Sequence, residues 1–166
     1  MEKRRVLLVI GVIIIAILAI IWLTRLFSPR QLDDLSPEIS CSKELIEKSD
    51  VLYVIPRYGG WALSKEFCQE ILAYNKTIAM HGITHEYKEF LIPRNSSYIE
   101  QGIEIFLGCF NITARSFKPP QMAITGENEH IVRRYMHLDL KLNQVLHKVY
   151  HCDDAGLFPN WLIDII

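Results

Sequence analysis

Eighteen consecutive apolar residues, Val6 to Leu23, interrupted only by Gly11, limit what the start of this chain can become. At ~1.5 Å rise per residue a helix over this run is about 27 Å long, close to the ~30 Å hydrocarbon core of a bilayer. A helix apolar on every side does not suit the surface of a soluble domain, and a chain of 166 residues has too small a core to bury it. Lys3, Arg4 and Arg5 precede the run, whereas Arg25 and Arg30 follow it and are succeeded by Asp33 and Asp34. The positive excess before the run orients the N-terminus inside and the remainder outside, with Trp22 placed to anchor the outer interface. A cleaved signal peptide is the competing reading, but the run is long for one and no small-x-small cleavage site follows it. The expected organisation is a basic cytoplasmic segment over 1–5, a transmembrane anchor over 6–24, a connector over 25–30 and a folded domain over 31–166.

Two further features agree with an outside location. Asn75-Lys76-Thr77, Asn95-Ser96-Ser97 and Asn111-Ile112-Thr113 are glycosylation sequons and use half of the six asparagines. Cys41, Cys68, Cys109 and Cys152 are even in number and widely spaced, so three disulfide pairings are open, as is a set of buried free thiols. No CxxC pair argues for a zinc ribbon. A net charge of -1 and the lack of a basic, aromatic-interleaved stripe exclude nucleic acid as the expected partner.

Short strands alternate with helices along the rest of the chain. Gln31 to Leu35 reads as a strand ended by Ser36-Pro37, Lys43 to Lys48 as a helix capped by Ser42, and Val51 to Ile55 as a buried strand stopped by Pro56. Arg57 to Leu63, with Gly59-Gly60, reads as a loop. Ser64 caps a helix over Lys65 to Tyr74, and Thr77 to Met80 is a buried strand with His81 at its carboxyl end. Ser97-x-x-Glu100 has the form of a capping box opening a helix that ends near Gly108. A short strand before Pro119-Pro120, a helix over Glu127 to Met136 and a strand over Gln144 to Tyr150 follow; Pro159 to Ile166 is ambiguous. This alternation predicts an α/β fold with a mostly parallel sheet, in which sites gather at the carboxyl ends of strands.

His81-Gly82-Ile83-Thr84-His85 and Asp33-Asp34 both fall at such ends. Two imidazoles and one carboxylate make the three-ligand set of a hydrolytic zinc site, which leaves a position open for water. A second carboxylate beside the ligand can take the water's proton. The division that follows is Asp34, His81 and His85 as metal ligands and Asp33 as base, with a divalent ion, best suited to zinc, as cofactor.

The stretch Gln31-Leu32-Asp33-Asp34-Leu35-Ser36-Pro37 resembles the first motif of the polysaccharide deacetylase (NodB-homology) superfamily, and His81 to His85 resembles its second. Val54-Ile55-Pro56, Glu89-Phe90 and Phe117-Lys118-Pro119-Pro120 resemble an uncharacterised, deacetylase-like branch of it. The resemblance covers roughly residues 31 to 160 and implies an irregular (β/α) barrel of the polysaccharide deacetylase type behind one N-terminal transmembrane helix. It also implies the same roles for Asp33, Asp34, His81 and His85, and a hydrolase that removes N- or O-acetyl groups from a glycan.

Two departures stand out. Lys118 occupies the place of an arginine that orients the base in the family, and Lys118-Pro119-Pro120-Gln121-Met122 lacks the motif's final glycine. An ammonium lacks the planar fork of a guanidinium, which implies looser orientation of Asp33. The family also has a C-terminal histidine that protonates the leaving group; His151, in a predicted loop, is preferred for this over His147, in a predicted strand. The roughly 135 residues after the anchor are few for a complete barrel, which implies an open or truncated one.

Lys118, Pro119, Pro120 and Trp61 are the expected substrate-binding residues, Trp61 as a stacking platform for a sugar ring. Glu86 and Glu89 are candidate acceptors for imidazole N–H groups. Asp153-Asp154, His130 and His137 read as solvated residues. The expected protein is a membrane-anchored, metal-dependent glycan deacetylase; the alternatives are a catalytically impaired metal- or glycan-binding protein on the same anchor, and an anchored structural protein.

Overall fold

The computed structural model describes residues 2–140, 142–154 and 156–165, so the first residue of the expected cytoplasmic segment and the last of the expected domain lie outside the described residues. The elements are α1 (Glu2–Phe27), β1 (Gln31–Leu35), α2 (Lys43–Lys48), β2 (Val51–Val54), β3 (Arg57–Tyr58), β4 (Trp61–Ala62), α3 (Lys65–Ala73), β5 (Thr77–His81), α4 (Ser96–Phe110), β6 (Ser116–Lys118), a 3-10 turn (Pro120–Met122), α5 (Gly126–Val132), β7 (His137–Leu138), α6 (Asn143–Leu146), β8 (Val149–His151) and α7 (Asn160–Ile165).

Six strands form one sheet in the order β7-β6-β5-β2-β1-β8, and every neighbouring pair is parallel. Among the described residues β7 and β8 are its two edges, so the architecture is an open parallel α/β sheet and not a closed barrel. Leu32, Leu52, Ile78, Met80 and Phe117 on the strands pack with Ile71 of α3 and Ile99, Phe106 and Phe110 of α4 in the core. Such strands, buried on both faces, give the short apolar runs by which β2 and β5 are recognisable in sequence, whereas β1 carries Gln31, Asp33 and Asp34.

Two disulfides settle the open pairing. Cys68–Cys109 joins α3 to α4, and Cys41–Cys152 joins the segment after β1 to the residue after β8. All four sulfurs are paired, which overturns the free-thiol reading.

Several boundaries differ from the sequence expectation. Gly59 and Gly60, at φ +57° and +88°, turn a two-stranded hairpin, β3–β4, where a loop is expected; both central residues at positive φ suit the twist of paired strands. Asn95, whose Oδ1 accepts from the N–H of Tyr98, caps α4, and Ser97 lies inside the helix. The α4 helix continues to Phe110 and ends where Asn111 takes the left-handed conformation at φ +52°. The α5 helix stops at Val132, short of Met136. The expected strand over Gln144 to Tyr150 divides into α6 and β8, because only Val149–His151 finds a partner, β1.

The α1 helix is long and apolar enough to cross a membrane, and none of its apolar stretch is buried against the domain. Its last turn is fastened: Nη1 of Arg25 donates to the carbonyls of Gln144 and Val145 in α6, at 3.0 and 3.1 Å. Only residues 28–30 separate α1 from β1. In a parallel sheet this places the end of α1 at the amino ends of the strands, opposite their carboxyl ends.

Candidate metal centre

Four strands deliver the polar residues of the centre at their carboxyl ends. Asp33 and Asp34 come from β1, His81 from β5, Lys118 from β6 and His151 from β8, with Asp33 level with His151 and His81 level with Lys118. Residues adjacent in a strand normally point to opposite faces. Here the pairing of β1 with β2 slips between Leu32 and Leu35, and Asp34 adopts φ +65°. Both aspartates are buried, yet they serve different partners.

Oδ1 of Asp34 lies 2.8 Å from Nε2 of His85 and 3.1 Å from Nε2 of His81. The angles do not make either contact a hydrogen bond, so Oδ1 is a buried oxygen without one. Nδ1 of His81 is 3.0 Å from the carbonyl of Lys118, which can only accept, so Nδ1 carries hydrogen and the neutral ring turns a bare Nε2 toward Asp34. The lone pairs of Asp34 Oδ1 and His81 Nε2 thus converge beside Nε2 of His85, with ligand atoms within 4.8 Å of one another. Such convergence requires a proton or a cation between them, and the donor set fits a divalent metal ion. Burial alone raises the pKa of the Asp34 carboxyl, but the close approach of His81 and His85 outweighs it and holds the group far below the usual carboxylate range. For His81, burial favours the neutral ring, and the charges of Asp33 and Asp34 overcome this and raise its pKa.

The loop bearing His85 is wound around a buried carboxylate. Glu89 accepts the backbone N–H groups of Ile83, Thr84 and His85 at 3.0 to 3.1 Å, and the hydroxyl of Tyr98 at 2.7 Å. Its partners are thus main-chain N–H groups and the Tyr98 hydroxyl, not the imidazoles expected from sequence; Glu86 is exposed. Gly82 makes the winding possible, because at φ +63° a Cβ there would lie 2.5 Å from Glu89 Oε2 and 2.6 Å from Pro120 Cγ.

Asp33 belongs to a second network. Its Oδ1 accepts from Nζ of Lys118 at 2.7 Å, and Nζ also donates to Oε1 of Gln31 at 2.6 Å while standing 3.9 Å from the centre of the Tyr53 ring. Three neighbours thus engage the three ammonium hydrogens. Gln31 and Tyr53 supply the constraint that a lone ammonium lacks, so the looser orientation expected for lysine is not observed. Burial lowers the Lys118 pKa, opposed by Asp33. Oδ2 of Asp33 is buried without a hydrogen bond, and Nε2 of His151 is 3.7 Å from it.

His151 is buried in a strand, not exposed in a loop. Its N–H and carbonyl are held by the side-chain amide of Asn160, and Gly156 packs against its ring. His147 is also displaced from its expected strand: it ends α6, with Nδ1 3.1 Å from the carbonyl of Asn143.

A cavity of about 550 Å³ opens over the cluster, lined by Asp33, Asp34, His81, His85, Pro119 and His151 among others. Of the expected substrate-binding residues, Pro119 alone lines it. Lys118 is inaccessible behind Asp33, Pro120 is buried against Gly82, and Trp61 is 71% exposed on the β3–β4 hairpin, outside the cavity wall. Tyr58, on the same hairpin, is closer to the centre, its ring 6.4 Å from that of His85. Sequence reasoning missed Gln31, Tyr53 and Asn160. Only Gln31 carried a signal, standing two residues from Asp33 and so on its side of β1.

No family model and no curated protein matches the chain. Solved structures similar to it include a CE4 family pseudoenzyme from Bacillus anthracis, at 15% identity and TM-score 0.46, covering 61% of this chain and 44% of that one. IcaB from Ammonifex degensii is 16% identical at TM-score 0.45, covering 66% and 51%. The Xyl-CE4 domain of a multidomain xylanase from the hindgut metagenome of Trinervitermes trinervoides is 10% identical at TM-score 0.42, covering 61% and 60%. The chain therefore spans about half the length of these structures.

Proposed function

We propose that the chain is a membrane-anchored, metal-dependent hydrolase of the polysaccharide deacetylase type, which removes acetyl groups from a glycan outside the membrane. The observation that carries this is the convergence of Asp34 Oδ1 with the Nε2 atoms of His81 and His85, 3.1 and 2.8 Å away, beside a second carboxylate. We read the open sheet as part of an irregular barrel, the N-terminus as lying inside, and the anchor as retained.

In this reading Asp34, His81 and His85 hold a divalent ion, zinc being best suited. When bound, such an ion polarises a carbonyl and lowers the pKa of a bound water to about 7. Lys118 occupies Oδ1 of Asp33 and leaves Oδ2 to take a proton from the attacking water. His151, on the Oδ2 side of Asp33, protonates the nitrogen or oxygen released as the acetyl bond breaks. Glu89 and the Lys118 carbonyl keep the two ligand imidazoles in place, so little reorganisation accompanies reaction.

The test is acetate release from an acetylated oligosaccharide by the full chain in detergent with zinc. Asp33→Asn is expected to keep zinc and lose about 10²- to 10⁴-fold in rate. Zinc uptake without any acetate release favours the impaired binding protein instead. No zinc uptake overturns both.

A further inference from the structure

We infer that Asn75, Asn95 and Asn111 are N-glycosylated, an inference that rests on the outward orientation of the domain proposed above. The six asparagines divide into two sets of three. Asn128, Asn143 and Asn160 are engaged in the fold. Asn128 is buried and its Nδ2 donates to the carbonyls of Phe90 and Ile92, Asn143 is buried, and Nδ2 of Asn160 donates to the carbonyl of His151. None of these three has serine or threonine two residues on; His130, Val145 and Leu162 stand there.

Asn75, Asn95 and Asn111 are all exposed, and among the described residues no Nδ2 of theirs donates a hydrogen bond. Each is followed two residues later by a hydroxyl, on Thr77, Ser97 or Thr113. These too are exposed and make no side-chain hydrogen bond among the described residues.

Capping chemistry accounts for the asparagines alone. Asn75 and Asn111 adopt φ +52° just past α3 and α4, and Asn95 caps α4. It does not account for the three hydroxyls, which have no role in the fold. Modification is compatible with the caps, because Asn95 uses Oδ1 and leaves Nδ2 in solvent. The donor class is an oligosaccharide linked to a polyisoprenyl phosphate or diphosphate. The C1–O bond to the lipid phosphate breaks, an Nδ2–C1 bond forms, and the displaced amide proton leaves with the phosphate. Asn75 and Asn111 lie at the end of the sheet from which α1 emerges, and Asn95 at the end bearing the metal centre.

Translation of the full chain into sealed rough microsomes tests this. The expected product shows three mobility steps that collapse on treatment with peptide N-glycosidase. Asn75→Gln, Asn95→Gln and Asn111→Gln each remove one step. Thr77→Ala, Ser97→Ala and Thr113→Ala remove the same step with the asparagine in place, which separates lost modification from lost folding. A domain protected from external protease but unmodified overturns the inference and leaves the orientation standing. A domain digested and unmodified overturns both.

Discussion

The ammonium of Lys118 grips the carboxylate of Asp33 at 2.7 Å, with 0% and 1% of the two side chains exposed. An ion pair this far from water is costly to break from one side, because the remaining charge is left uncompensated. Lys118→Met is therefore expected to destabilise the fold by about 3 to 5 kcal/mol. Adding Asp33→Asn should recover part of that loss, so the double variant loses less than the sum of the two singles. Denaturant unfolding of the full chain in detergent measures both; strict additivity contradicts the coupling.

Glu89 organises the ligand loop without touching a ligand ring. Glu89→Gln keeps the volume but leaves one oxygen to serve N–H groups that now share two, and its amide hydrogens face donors. Zinc affinity is expected to fall about 10- to 100-fold, the usual effect of removing a group that orients ligands. A calorimetric titration with zinc checks this, and an unchanged Kd contradicts it.

Two glycines allow the proposed metal binding and the proposed proton delivery to be tested apart. Gly82→Ala drives a methyl into Glu89 and Pro120 at a positive φ, so stability and zinc affinity should fall together. Gly156→Ala drives a methyl into the His151 ring. Zinc stoichiometry should then be unchanged while acetate release falls, by up to about 10²- to 10⁴-fold for a lost general acid. Equal activity of Gly156→Ala and the parent chain contradicts the role given to His151.

On the proposed reading, metal and protons compete at this site. In metal-free protein the raised His81 pKa contributes stability that is complete below pH 6.5 and lost as pH rises through the raised value. The depressed Asp34 pKa contributes stability that is complete above 3.8 and lost as pH falls through the lower value. The cluster's contribution is thus largest between those limits. Zinc needs His81 Nε2 without its proton, so zinc affinity should rise across the alkaline limb and cancel the loss there. Melting curves across pH with chelator and with zinc check this; identical profiles contradict it.

What the sequence revealed of this centre was local. Gln31 to Leu35 before Ser36-Pro37, and Thr77 to Met80 before Gly82, are short strand-like runs with a stop, so the strand ends, and the positions of Asp33, Asp34 and His81 on them, were legible. What it hid was non-local. The Gln31–Lys118 contact spans 87 residues and depends on two intervening strands. His151 read as a loop residue because β8 is three residues long and exists only through its pairing with β1. Trp61 suggested a sugar platform, but the Gly59-Gly60 turn carries it outside the cavity. The pairing of four cysteines leaves no sequence signal at all.

The Cys41–Cys152 bond closes a separation of 111 residues and ends one residue from His151. Replacing both cysteines by serine should cost about 4 to 5 kcal/mol on a chain-entropy basis. It should also loosen His151 more than the metal ligands, so acetate release falls further than zinc content. Parallel loss of the two contradicts this.

Zinc content per chain, measured on the full-length protein and on Asp34→Ala and His85→Ala after exhaustive dialysis, tests the central claim most directly. The parent chain should hold one equivalent and each variant well under half of one, with far-UV circular dichroism unchanged. A parent chain that takes up no metal, or variants that retain a full equivalent, contradicts a metal centre built on Asp34, His81 and His85.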